Sequence, residues 1–168
     1  IEVFRSVKDT DKPTVVHIHT EKGHGFAPAV ENKEVWHYSM PFNVEDGSSL
    51  EGPEDESYDQ LLSDWMLQEM KKDKTLIAVT SGTPTAAGFT AEKRKQAGKQ
   101  HVDVGIAEEQ AAAMVSGMAK GGLRPVWTVV STFLQRAYDQ IAQDLCINSN
   151  PAVINVTGGG VLWMNDIT

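Results

Sequence analysis

Between residues 75 and 157 short β-branched runs alternate with stretches of helical periodicity, and this alternation constrains the fold more than any other feature of the chain. Thr75 to Thr80, His101 to Gly105, Arg124 to Val130 and Pro151 to Thr157 read as strands, rich in Val, Ile and Thr and bounded by turn residues. Ser57 to Lys72 carries apolar residues at Tyr58, Leu61, Leu62, Trp65, Met66 and Met70, which is helical spacing, with an acidic start and a lysine-rich end. Further helices are expected over about 85–96, 107–120 and 133–147, the last capped by Ser131-Thr132. Strands and helices in alternation with short connections give an α/β fold with a doubly wound, mainly parallel sheet from about Ser57 onward. Ligands of such sheets bind beyond the carboxyl ends of the strands, so residues placed there are the first candidates for function.

Two segments occupy that edge. In Asp103-Val-Gly-Ile-Ala-Glu-Glu-Gln-Ala-Ala-Ala113 a strand passes through a short turn into an alanine-rich helix, which puts Glu108 in the first helical turn. Glu108 and Glu109 there complement the positive end of the helix dipole, or Glu108 is a carboxylate aimed into the crevice as a proton handler. In Ser131-Thr-Phe-Leu-Gln-Arg-Ala-Tyr-Asp-Gln140 the ring of Phe133 and the guanidinium of Arg136 start from the same edge. Phe133 offers a flat apolar face or fills the helix–sheet core, Arg136 an anion contact or an ion pair, and Tyr138 a polar tip at the surface. Gly158-Gly-Gly160 lacks the spaced glycine fingerprint of a nucleotide cradle, and neither Ser81 nor Ser131 lies in a G-x-S-x-G elbow.

The first third of the chain is of another kind. An amphipathic stretch, Ile1 to Lys8, precedes Pro13-Thr-Val-Val-His-Ile-His-Thr20, which reads as a strand with His17 and His19 on one face. Lys22-Gly-His-Gly-Phe26 follows as a glycine-rich loop. From Ala27 to about Glu56 periodicity gives way to Pro, Gly, Ser and acids, the composition of a linker, in which Trp36, His37 and Tyr38 suggest docking onto something. The net charge of -8 and the lack of a Lys/Arg stripe argue against nucleic acid and anionic membrane as partners. No apolar run approaches membrane-spanning length. A single cysteine, Cys146, leaves no disulfide framework and fits a cytoplasmic protein. The ends at Ile1 and Thr168 are unlike natural domain termini, so the chain reads as a fragment.

The segments Asp103 to Gln110 and Ser131 to Gln140, with Lys22-Gly-His-Gly-Phe-Ala-Pro-Ala29 and Trp36-His37, closely resemble the 1-deoxy-D-xylulose-5-phosphate synthases of the transketolase-like, thiamine diphosphate-dependent superfamily. The resemblance implies that residues 57–168 form a pyrimidine-binding domain, residues 1–29 the end of a diphosphate-binding domain, and residues 30–56 the linker between them. It implies thiamine diphosphate and Mg2+ as cofactors, with the magnesium ligands upstream of Ile1, small keto-acid or sugar-phosphate substrates, and a homodimer. Glu108 matches the glutamate that bonds the aminopyrimidine ring nitrogen and promotes deprotonation of the thiazolium carbon, and Phe133 the ring stacked on the pyrimidine. Phe26 falls at an aromatic cofactor contact, His37 matches a linker histidine that reaches the active site, and Arg136 is the candidate for substrate binding. The chain departs from the family's pattern at Glu109-Gln110, where Gln-His is usual, at Val130 in place of a tyrosine, near Thr157 in place of an arginine, and over Val161 to Thr168. These departures leave the substrate open and admit an alternative, a catalytically degenerate relative serving as an interaction or regulatory module.

Overall fold

The computed structural model describes residues 1–50 and 56–160, and the chain divides into two compact units, Ile1–Glu54 and Asp55–Thr168. The departing segment from Val161 to Thr168 lies outside the described residues.

In the larger unit four parallel strands, β1 (Leu76–Thr80), β2 (His101–Asp103), β3 (Arg124–Val130) and β4 (Val153–Thr157), stand in the order β2-β1-β3-β4. Helix α3 (Tyr58–Lys72) enters through a capping box, in which the Ser57 hydroxyl accepts from the Gln60 amide and the Gln60 side chain accepts from the Ser57 amide. It buries Ser63, Met66, Leu67 and Met70, one stripe at helical spacing. Every residue of β1 is buried, and its two-residue period divides them between the faces of the sheet. Leu76 and Ala78 join Met66, Met70 and Phe89 in one core; Ile77 and Val79 join Ala111, Val115 and Trp127 in the other. A strand apolar on both faces is what a parallel sheet covered on both sides requires, and each large side chain so buried stabilises the fold by about 2 kcal/mol.

The second core is closed by α5 (Glu108–Lys120) and by a helical segment after β3. The latter is not one regular helix: α6 (Ser131–Leu134), a 3-10 turn (Gln135–Ala137), α7 (Tyr138–Gln140) and a π-helical stretch (Ile141–Ile147) follow one another. Ser131 does not cap it; the hydroxyl donates instead to the Gly158 carbonyl, 2.8 Å away, and ties the segment to the loop after β4. Helix α4 (Ala91–Ala97) begins later than its sequence suggests. Gly88 interrupts with φ +75°, and a Cβ there would lie 2.2 Å from the Asp59 carbonyl oxygen, so the chain crosses α3 at a glycine before Thr90 caps the helix.

At the amino edge of the sheet, Asp73 accepts from the Thr75 amide (2.8 Å) and hydroxyl (2.6 Å) and from Arg124 Nη1 (2.7 Å), binding the start of β1 to the start of β3. The Gln100 amide donates to the carbonyls of Asp73 and Leu76 and fixes the approach to β2.

In the smaller unit the described helical elements are α1 (Glu2–Val7), α2 (Ala27–Glu31) and a 3-10 turn (Val35–His37). Pro13 to Thr20 is a correction to the expected strand: β-branched residues favour an extended chain, but no described residue pairs with them, and Val15 and Ile18 stay exposed. His17 and His19 are neighbours, with ring centroids 4.2 Å apart. Gly23, at φ +86°, turns the chain against α2, where a Cβ would lie 2.6 Å from the Ala29 carbonyl carbon. Phe26, Trp36 and Phe42 pack mutually at centroid distances of 4.6 to 5.6 Å, and a bridge between Phe42 and Ser49 closes the following turn. Trp36 thus docks onto rings of its own unit, whereas Tyr38 stays exposed.

His101, half-buried on β2 against Phe89, is held neutral because burial pushes its pKa below the usual 6.5, more than Asp103 restores it. The unfolded chain therefore takes up the proton first as the pH falls through about 6.5, and stability declines from there until the native ring is protonated too. Thermal melts of the wild type and His101→Gln are expected to show this decline only in the wild type; an equal pH response in the variant contradicts the assignment.

Candidate functional site

Asp103 organises the carboxyl edge. Its Oδ2 accepts from the Thr80 hydroxyl at the end of β1 (2.9 Å), while Oδ1 accepts from the amides of Gly82 (3.2 Å) and Gly105 (2.6 Å). One carboxylate thus ties together the turns that follow two adjacent strands, as short Asx-type bonds do in loops. The turn after β2 then delivers α5, and Glu108 is its first residue.

Glu108 is 1% exposed, whereas Glu109 beside it is at the surface. Arg136, in the 3-10 turn after α6, reaches both: Nη1 lies 2.9 Å from Glu108 Oε2 and Nη2 3.7 Å from Glu109 Oε1. The first contact is close but poorly aligned, so Oε2 is ion-paired while accepting no hydrogen bond among the described residues. Ala137, fully buried in the second core, anchors the backbone from which Arg136 extends. Phe133 is half-buried and packs against that core, and Tyr138 is exposed. The structure thus brings Glu108 and Arg136 into contact and sets Phe133 on the same helical segment as Arg136.

His37 and Phe26 belong to the smaller unit. Lys22 Nζ bonds Nδ1 of His37, and an ammonium only donates, so the ring proton of a neutral His37 sits on Nε2. Phe26 stands edge-on to Trp36 at 5.0 Å, one wall of the aromatic cluster. The described residues contain no group of three or more His, Cys, Asp or Glu side chains that could hold a metal ion. Two apolar cavities, of about 560 and 740 Å3, lie at Trp65, Leu123 and Ile154 and at Leu134, Tyr138 and Ile147; neither is lined by Glu108.

Sequence reasoning missed Asp103, Lys22 and the role of Glu109. Asp103 carried a legible signal, an aspartate two residues ahead of a turn glycine. The other two act through contacts across 15 and 27 residues, which no local pattern reports.

Asp103→Ala removes three hydrogen bonds from the edge and is expected to cost about 1 to 3 kcal/mol of stability, read from the denaturant midpoint. An unchanged midpoint contradicts the role given to this carboxylate.

Residues 55–162 match the family described as transketolase, pyrimidine binding domain. The chain is 37% identical over 163 residues to 1-deoxy-D-xylulose-5-phosphate synthase 1 of Geobacter sulfurreducens, covering 96% of this chain and 25% of that protein. It is 37% identical over 161 residues to the synthase of Clostridium beijerinckii, and 39% identical over 161 residues to that of Heliobacterium modesticaldum. These matches cover 96% of this chain in each case, and 26% and 25% of the respective relatives. The chain thus spans about a quarter of the length of the curated relatives it matches. With the parallel sheet and the glutamate-initiated helix at its carboxyl edge, the match identifies the chain as a member of the transketolase pyrimidine-binding domain family.

Proposed function

We propose that this chain is part of a thiamine diphosphate-dependent transferase of the transketolase type, which joins a pyruvate or ketose donor to an aldose-phosphate acceptor as the synthases named above suggest. The observation that carries the proposal is Glu108: a buried carboxylate at the carboxyl edge whose Oε2 accepts no aligned hydrogen bond. An acceptor kept from water, ion-paired but without an aligned donor, suits a ligand that brings its own.

The pyrimidine end of the cofactor fits these residues. Glu108 would take the hydrogen bond of the aminopyrimidine ring nitrogen and hold the proton there. Phe133, packed from behind by the second core, would supply the flat wall. When bound, thiamine diphosphate supplies the carbon nucleophile that attacks the donor carbonyl. Its Mg2+ ligands are proposed in the part of the protein outside this chain, as the resemblance implies. Arg136 has more N–H groups than its two carboxylates engage and would give one edge to a substrate anion. His37, with Nδ1 taken by Lys22, would present Nε2 to the reaction, and Phe26 is kept as an aromatic contact to the cofactor.

Residues 1–29 are proposed as the end of a diphosphate-binding domain and 30–56 as its linker; a homodimer and a cytoplasmic location complete the proposal. No helix among the described residues is long and apolar enough to cross a membrane. No observation favours the alternative of a catalytically silent module.

The test uses the protein expressed from its complete gene, with magnesium and thiamine diphosphate. Glu108→Gln keeps the shape of the side chain and is expected to lower carbon transfer about 100- to 10,000-fold, the range for loss of a positioned proton-transfer group. Full activity in a folded Glu108→Gln variant contradicts the proposal.

A further inference from the structure

Helix α5 starts without a cap. Ala107 stands at its N-cap and has no side-chain acceptor for the first amides, where Ser, Thr, Asp or Asn is usual. Between β2 and the helix lie Val104, Gly105, Ile106 and Ala107. The Val104 amide is tied to the Thr80 carbonyl at 3.0 Å, but Ile106 is 80% exposed, so its burial does not fix the turn. The hold beyond Val104 is the Asp103 carboxylate, whose Oδ1 accepts from the Gly105 amide at 2.6 Å and the Gly82 amide at 3.2 Å. Its Oδ2 is itself anchored by the Thr80 hydroxyl at 2.9 Å. The turns so clamped are in contact: a Cβ on Gly82 would lie 3.0 Å from Ile106 Cγ1 and 3.1 Å from the Ile106 amide nitrogen. Onward from Gly105 the backbone is continuous in its bonds, Ala107 amide to Gly105 carbonyl (2.8 Å) and Ala111 amide to Ala107 carbonyl (3.0 Å), the latter closing the first turn of α5.

We propose that Asp103 is a positioning residue for Glu108, which stands in for the missing cap of α5 and sets where the Glu108 carboxylate is held. This rests on the transferase reading above. Asp103 acts through the Gly105 turn and not by contact with reacting atoms. A shift of about 1 Å in a positioned group costs about 100-fold in rate, so a clamp that fixes the entry of an uncapped helix matters beyond the stability it adds. The opposite end of the sheet supplies the matched control: Asp73 likewise accepts three hydrogen bonds, from the Thr75 amide, the Thr75 hydroxyl and Arg124, but lies at the amino edge, away from Glu108.

The test compares Asp103→Ala, Asp103→Asn and Asp73→Ala in the protein from its complete gene. Without cofactor, amide hydrogen exchange at Gly105 and Ala111 should quicken at least about tenfold in Asp103→Ala and stay as in the wild type in Asp73→Ala. With magnesium and thiamine diphosphate, Asp103→Ala should lower kcat about 100-fold while the donor KM moves less than about threefold. Asp103→Asn keeps an oxygen for both amides and should recover all but about tenfold of kcat, the neutral bonds being weaker than the charged ones. Asp73→Ala should lose stability yet keep kcat within about twofold. Should Asp103→Ala not fold, Thr80→Val, which removes only the anchor of Oδ2, should still lower kcat and quicken both amides. Unchanged amides in Asp103→Ala or, where that variant does not fold, in Thr80→Val, a kcat loss shared by Asp73→Ala, or Asn as damaging as Ala overturns the proposal. Wild-type protein that transfers no carbon overturns the transferase reading instead, and the amide exchange then still decides whether Asp103 holds the start of α5.

Discussion

A carboxylate with 1% of its surface exposed is the constraint on which the rest of this site depends. An isolated charge in that position would be costly, and removing one partner from a buried ion pair typically costs about 3 to 5 kcal/mol. Glu108 therefore needs Arg136, and Arg136 reaches it only if the segment after β3 turns where it does. That turn is fixed from below by Ala137 in the core and from the side by the bond from Ser131 to Gly158. The irregular sequence of α6, 3-10 turn, α7 and π-helical stretch is what placing a guanidinium over the first turn of α5 looks like in the backbone. π-Helical departures from regular winding are frequent at functional sites.

The carboxyl end of β1 is available for this purpose because its faces and its amino end are not. β1 is buried on both faces and its amino end is closed by Asp73, Arg124 and Gln100. At the other end Asp103 gathers the turns after β1 and β2, so the helix that presents Glu108 starts from a braced position. Within the smaller unit the same logic operates on a lesser scale: the aromatic cluster of Phe26, Trp36 and Phe42 holds the turn that carries His37, and Lys22 selects its tautomer. The match to the transketolase pyrimidine-binding domain family covers residues 55–162, the unit that carries this carboxyl edge.

How much of this could be read from the sequence follows from which forces are local. β1 and β3 announced themselves through β-branched runs, and α3 through its apolar spacing and Ser57, because those signals and the structure share one cause, burial of a periodic face. The helix expected from residue 85 starts at Ala91 because Gly88 crosses α3 so closely that a Cβ there would lie 2.2 Å from the Asp59 carbonyl oxygen, a contact between distant segments. Pro13 to Thr20 had the composition of a strand but finds no pairing partner among the described residues, and composition cannot supply one. The positions of Glu108 at the start of α5 and of Phe133 in α6 were legible through the strand ends that precede them. The pairing of Glu108 with Arg136 was not, since it spans 28 residues and depends on the turn at Ala137.

The measurement that tests the account most directly is a crystal structure of the complete protein with thiamine diphosphate and magnesium bound. The aminopyrimidine ring nitrogen is expected within hydrogen-bond distance of the Glu108 carboxylate and the ring against Phe133, with Arg136 still paired to Glu108. A cofactor bound with its pyrimidine away from Glu108, or a Glu108 whose carboxylate remains paired with Arg136 alone, would contradict it.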